Sequence, residues 1–341
     1  MANFHITKGK NLKIKGSPNK EIVTISLPKQ VAVQPSDFRG VKPRLLVKVE
    51  DSVKAGDPLF GDKIFEKIKV VSPVSGKVIA INRGAKRAIL EIVVAVDEQQ
   101  SFTDFKKYSS SEIVGLSKEA VVNDLLEGGM WNVLRQRPFS NFADPSQSPK
   151  SIFVHAVNTE PLALDVDFVL EGQENDFQFG LDILGKLTEG DVHLCVSKDS
   201  KSVALTQSQN VQIHQFSGVH PSGNVSTHIH RVDPINKGDV VWYVEAQDVV
   251  RIARLFLTGN YSAEKIIAAT GEGVKNRVYV KTVVGAPLSA IVQGSDLENM
   301  RCLTGSVLAG REISKNGFVG HFDSQVTIIP EGGNREILGW L

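Results

Sequence analysis

Trp131, Arg135, Arg137, Pro138 and Phe139 stand within nine residues of one another, directly after the Gly128-Gly129 pair. A large amphipathic ring, two guanidinium groups and a Pro-Phe pair on a loop make a set suited to an oxygen-bearing aromatic ligand. The rings pack on its face and the arginines donate to its carbonyls. The same residues also have a plain structural use, with Trp131 anchoring a helix to a sheet and the arginines bridging domains. In a helix, Trp131 and Arg135 would be i, i+4 neighbours, placing the guanidinium along the indole.

Histidines form a second group: His214, His220, His228 and His230. On a strand, His228 and His230 would share a face with Asp233 nearby, which is the start of a metal site. The spacing lacks further fixed ligands, so a hydrogen-bonding role is preferred and no metal is assigned. Lys63, in Gly61-Asp62-Lys63-Ile64, has the position of a carrier lysine on a hairpin, but Ile64-Phe65 is the wrong setting and a surface lysine is preferred. Arg83, Lys86 and Arg87 sit on a glycine-containing turn that reads equally as a solvated hairpin tip or a dock for acid or phosphate.

The elements that must position these residues fall into three textures. Residues 1–40 read as an irregular N-terminal lead-in with a short strand at Ile22-Val23-Thr24-Ile25. Residues 41–100 show short β runs between glycine turns, a small barrel-sandwich domain with two quasi-repeated halves. After a polar linker, Ser117 caps a helix that Gly128-Gly129 ends, and residues 101–260 then alternate strand and helix. Strands are expected at 152–157, 192–196, 211–216 and 240–244, with helices over 177–187 and 246–257, the pattern of a parallel, Rossmann-like α/β sheet. Its ligand positions would be the strand ends at Asn158-Thr159-Glu160 and Ser217 to Asn224, and no G-x-G-x-x-G occurs there or elsewhere. Residues 261–341 suggest a small β-grasp-like domain, with strands at 278–284, near 302–308 and at 325–329 and a short helix at 288–292. The closing Gly339-Trp340-Leu341 falls in mid-pattern, as in a shortened chain.

Composition narrows the classes. Thirty-nine Lys+Arg against 38 Asp+Glu give no basic field for nucleic acid. Apolar runs reach five residues where a membrane-spanning helix needs about twenty, so no direct span is expected. Met1 leads into no signal-peptide pattern, which points to the cytoplasm. The two cysteines, Cys195 and Cys302, are isolated and read as buried thiols.

Ordered blocks along nearly the whole chain resemble the NqrA family, the A subunits of bacterial Na+-translocating NADH:quinone oxidoreductases. They include Gly76-Lys77-Val78-Ile79 with Ile81 to Arg87, Trp131 with Leu134-Arg135 and Arg137 to Ser140, and Gly180 to Leu184 with Leu187 to Gly190. The blocks continue through His220-Pro221, Thr227-His228 with His230, Gln247-Asp248-Val249, Leu255 to Gly259, Gly305 to Leu308 and Gly339-Trp340. Asn158 to Ala163 departs from the family's usual Asp-Thr-Asn-Pro-Leu-Ala, and Ser226 replaces a usual glycine.

The resemblance implies a barrel-sandwich hybrid (biotinyl/lipoyl-like) domain, a Rossmann-like domain and a β-grasp (SLBB-like) domain, without the family's further C-terminal region. It implies a peripheral subunit on the cytoplasmic side of the bacterial inner membrane, partnered by other subunits of the complex and concerned with quinone as substrate. No cofactor is expected in this chain; NADH, flavins and an iron–sulfur centre would be held by other subunits. The quinone would lie at Trp131, Arg135, Arg137, Pro138 and Phe139. The flavin- and NADH-binding subunit of respiratory complex I and the Rnf C subunit share this organisation but carry a glycine-rich flavin loop where this chain has Met130 to Phe139. Bulky Trp131, Val133 and Leu134 would keep a phosphate from the backbone amides. The alternative is a ligand-free module that only clamps partner subunits.

Overall fold

The computed structural model describes residues 2–332, so the closing Gly339-Trp340 block lies outside the described residues. Three sheet systems pack into one body. The largest is a seven-stranded sheet in the order Ala2–Ile6, Gln212–Gly218, Val192–Ser197, Ser151–Ala156, Val241–Glu245, Arg135–Arg137, Asn141–Phe142. The first five strands are mutually parallel, and the last two form an antiparallel edge. Ser151–Ala156 and Val192–Ser197 are buried almost throughout, because a parallel strand covered on both faces needs apolar side chains at every position.

The helices Glu174–Gly185 and Ala246–Thr258 cover one face together. They cross closely at Gly180, where a Cβ would stand 2.3 Å from the Val249 carbonyl oxygen. Val225–Val232 covers the opposite face.

The barrel-sandwich domain pairs a four-stranded sheet (Gln30–Val33, Ile89–Val96, Gly76–Arg83, Ser52–Val53) with a three-stranded one (Pro43–Leu45, Pro58–Asp62, Lys69–Val71). The third domain is a six-stranded sheet in the order Arg311–Glu312, Met300–Thr304, Gln325–Pro330, Glu264–Thr270, Tyr279–Val283, Ile22–Thr24, with the short helix Leu288–Ile291 over it. Its interior strand Glu264–Thr270 has no counterpart in the sequence expectations, whereas the strand expected at Ser306 to Leu308 is a turn.

The first 40 residues correct the lead-in expectation. They supply Ala2–Ile6 to the α/β sheet, Ile22–Thr24 to the third sheet and Gln30–Val33 to the barrel-sandwich. One segment thus stitches all three units. Residues 97–116 are also more than a linker: Phe102 bridges to Ala55, and Ser109 and Glu112 form a capping box on the helix Ser110–Ile113.

Candidate functional site

The helix Lys118–Glu127 begins with the Ser117 hydroxyl accepting the Ala120 N–H and ends at Gly128-Gly129. Gly129 has φ 68°, and a Cβ there would press within 2.5 Å of Val71, so the reversal needs glycine. The chain then makes only a single 3-10 turn, Trp131–Val133, and passes into the strand Arg135–Arg137. Trp131 and Arg135 are therefore not helical neighbours, contrary to the sequence expectation.

Trp131 is 1% exposed, stands edge-on to Trp242 at 5.4 Å and donates its indole N–H to the Ala143 carbonyl at 2.8 Å. It belongs to the core that joins the helix to the sheet. Arg135 lies over Phe322 at 4.0 Å and Phe142 at 5.1 Å and donates to the Asp37 carbonyl at 3.3 Å, joining all three domains. Burial lowers its pKa. Arg137 covers Tyr243 at 5.0 Å, and its buried Nε has no partner among the described residues. After the cis Arg137–Pro138 peptide, Phe139 stands 74% exposed at φ 78°. The five residues thus separate into a core tryptophan, two stacked arginines and a surface tip.

The sheet's order reverses between Ser151–Ala156 and Val241–Glu245, and the ligand crevice of an open α/β sheet lies outside that switch point. Here it is lined by His155, Asn158, Glu245, Gln247, Asp248 and Lys265, with Leu164, Val166 and Phe322 filling it, and it retains a volume of about 30 Å³. That is room for a water or two. An adjoining cleft of about 190 Å³ shares Glu245, Asp248 and Phe322 and adds Arg39, Arg135, Ser140 and Tyr243. Both are below the ~300 Å³ at which small-molecule pockets begin.

Of the two strand-end segments expected to hold ligand, Ser217 to Asn224 closes onto Asn158-Thr159. The Gly223 N–H donates to the Thr159 hydroxyl at 2.9 Å, and the Gly223 carbonyl accepts from His155 Nε2 at 2.6 Å. His155 Nδ1 meets the Glu245 carboxylate at 2.7 Å. Both partners only accept, so the ring satisfies them as an imidazolium. Burial opposes that charge, but Glu245 beside the ring and its hydrogen bonds outweigh burial and hold the pKa up to about 9.

Under the crevice, Asp248 and Arg251 are each 2% exposed at the side chain and pair at 2.6 Å, with Arg251 also donating to the Ser262 carbonyl and the Tyr261 hydroxyl. Lys265 donates to the His321 carbonyl at 3.1 Å, and burial lowers its pKa. Burial, with Arg251, Lys265 and Arg135 nearby, keeps the His321 ring neutral. Asp37 accepts from the His321 N–H at 2.9 Å and from Arg311 at 3.0 Å. These groups weld the domain junction. Sequence reasoning missed them because helical periodicity marks apolar faces, and nothing in a linear pattern announces a buried ion pair.

The histidine expectations change. His228 and His230 lie on the helix Val225–Val232 rather than a strand, so they diverge: His228 is buried and His230 exposed. Burial depresses His228 to about 3, and its Nε2 donates to the Ser222 carbonyl at 2.9 Å. His214 shares a hydrogen bond with His193 at 3.1 Å, and burial lowers it to about 4. No group of three metal-ligating side chains occurs among the described residues. Lys63 is an exposed surface lysine, Arg83 to Arg87 form an exposed hairpin tip, and Cys195 and Cys302 are buried free thiols.

Comparison with known proteins accounts for this architecture. Residues 4–97 match the family model of the NqrA N-terminal barrel-sandwich hybrid domain, residues 116–261 the NqrA second alpha/beta domain, and residues 266–315 the NQRA C-terminal domain. The chain is 41% identical over 340 residues to the A subunit of the Na(+)-translocating NADH-quinone reductase of Marinomonas sp. (strain MWYL1), covering 99% of this chain and 76% of that one. The chain belongs to the NqrA family. With the corresponding NqrA protein of Haemophilus influenzae (strain PittGG) it shares 39% identity over 98% of this chain and 75% of that one. A crystal structure of an NAD+-reducing [NiFe]-hydrogenase aligns with 67% of this chain and 52% of its own at 14% identity, with a TM-score of 0.42. The barrel-sandwich family match begins at residue 4, which agrees with the segment before residue 41 contributing a strand to that domain. No helix among the described residues is long and apolar enough to cross a membrane.

Proposed function

We propose that this chain serves as the peripheral NqrA component of a Na+-translocating NADH-quinone reductase, on the cytoplasmic side of the bacterial inner membrane. Its work there is to hold partner subunits in register. Membership of the NqrA family supports the assignment, and the filled switch-point crevice carries the division of labour. With about 30 Å³ left among Leu164, Val166, Lys265 and Phe322, the place where an α/β sheet takes a nucleotide or flavin is closed by the chain's own side chains. NADH, flavins and the iron–sulfur centre then belong to other subunits, and sodium export to the whole complex. Reconstitution of the purified chain with flavin and NADH tests this: no saturable binding is expected, and micromolar binding of either would refute it.

A quinone role is a second reading, favoured by the donor side chains Arg39, Arg135, Ser140 and Tyr243 that line the adjoining cleft. A quinone headgroup offers two carbonyl acceptors, and these side chains offer donors beside the aromatic ring of Phe322. Arg137 stacks on Tyr243, which lines the cleft, whereas Trp131 lies in the core. Titration with a short-chain quinone would give saturable binding that weakens at least tenfold in Arg39→Ala and Tyr243→Phe. Unchanged binding in both variants would exclude the cleft, and absence of binding would leave the chain a clamp alone.

A further inference from the structure

The three-stranded sheet of the barrel-sandwich domain turns one face away from the core, and its register gathers cations there. Arg44 stands opposite Gly61 and Gly61 opposite Lys69, so the two cations flank a glycine across three strands and share its face. The adjacent row of Leu45, Phe60 and Val70 points the other way, into the main core. Period two adds Lys42 and Leu46 to the outer face, and a Cβ on Gly61 would meet the Leu46 side chain at 3.8 Å.

The face ends in the turn 63–67, which is fixed at its base. The buried Asp62 carboxylate accepts from the Lys42 N–H at 3.3 Å and the Ile64 N–H at 3.0 Å, and the Phe65 carbonyl accepts from the Ile68 N–H at 2.8 Å. The turn thereby lifts the adjacent Ile64 and Phe65 into solvent, 58% and 40% exposed, with exposed Lys63 and Lys67 on either side.

The charge is one-sided. Residues 42–46 and 63–69 carry five exposed cations, Lys42, Arg44, Lys63, Lys67 and Lys69, against the single acid Glu66, which meets Arg44 at 3.7 Å. The four lysines form no ion pair among the described residues. Charge complementarity selects an anionic partner. Protein interfaces are depleted in lysine, whereas lysines bordering a short apolar projection suit an anionic bilayer, with the charges among the headgroups and the apolar side chains at the acyl boundary.

We propose that this face of the barrel-sandwich domain seats the chain on anionic lipid headgroups, with Ile64 and Phe65 entering the membrane interface and the five cations around them. The choice of lipid over an acidic protein rests also on the proposed peripheral placement of this chain.

Cosedimentation of the purified full chain with vesicles tests it, comparing phosphatidylcholine alone with phosphatidylcholine and phosphatidylglycerol in equal parts. Binding is expected on the mixed vesicles only, and added salt should weaken it. Each cation at an anionic surface is worth roughly a fivefold change in affinity, so Lys63→Gln with Lys67→Gln should weaken binding at least tenfold. Ile64→Ser with Phe65→Ser should weaken it about tenfold, whereas Lys86→Gln with Arg87→Gln, at the exposed hairpin tip of the same domain, should not. The emission of the Phe65→Trp variant should shift to the blue on the mixed vesicles. The unfolding midpoint of each variant establishes that it folds. Failure of the wild-type chain to bind the mixed vesicles, or equal binding by the wild type and both variants of the turn, overturns the inference. Binding to polyglutamate through Lys63 and Lys67 without binding to lipid overturns it too and assigns the face to an acidic protein. The vesicles hold lipid alone, so failure of the chain to join the other subunits is a separate result, read from the stoichiometry of the purified complex, and overturns the proposed membership of the complex.

Discussion

Replacing Glu245 by Gln removes the carboxylate that keeps His155 protonated while preserving its size. His155 rises from an ordinary 6.5 to about 9 in the folded chain, and its side chain is 10% exposed. A group whose pKa is raised on folding contributes stability that is fully present below the unfolded value. That stability is lost as pH climbs through the folded value, here between 6.5 and about 9. At ~1.4 kcal/mol per pK unit the rise corresponds to at most about 3.5 kcal/mol. Glu245 is 45% exposed, and solvent screening reduces the expected contribution to about 1–2 kcal/mol. Urea unfolding at intervals from pH 6 to 9.5 would show the wild type losing that amount across the window. The Glu245→Gln curve should be flatter and already lower at pH 6. Parallel pH profiles for the two proteins would refute the imidazolium assignment.

Asp248→Ala leaves the Arg251 guanidinium buried without its carboxylate and should cost about 3–5 kcal/mol, read from the urea midpoint; a loss under 1 kcal/mol (roughly the cost of an exposed pair) would mean that the junction is wet. Trp131→Phe keeps a ring but strands the Ala143 carbonyl, and a loss of about 1–3 kcal/mol is expected, with quinone binding unaltered. Phe139→Ser, at the exposed tip, should change stability by no more than ~0.5 kcal/mol, so any effect it has on complex assembly reports contact with a partner.

The α/β sheet was legible because its parallel strands, such as Ile152-Phe153-Val154 and Leu194-Cys195-Val196, are short apolar runs buried on both faces, with clear helix stops between them. Glu264–Thr270 escaped notice because Ala268 and Ala269 carry little strand preference; position between two other strands makes it one. Arg135-Gln136-Arg137 looks like a loop in sequence, yet pairing with Val241–Glu245 and stacking of its arginines on Phe142, Phe322 and Tyr243 make it an edge strand. The N-terminal 40 residues gave no local sign of three sheet memberships, since each strand is fixed by a partner far along the chain. At the candidate site, the strand ends were expected from topology. The filling of the crevice was not, because Leu164, Lys265 and Phe322 converge on it only in three dimensions.

The place of this chain in the reductase is tested most directly by NADH-driven quinone reduction coupled to Na+ uptake in membrane vesicles that hold the complex without it. Adding back the purified chain should restore both activities in proportion to the amount bound. Full quinone reduction and Na+ uptake before it is added would contradict the account.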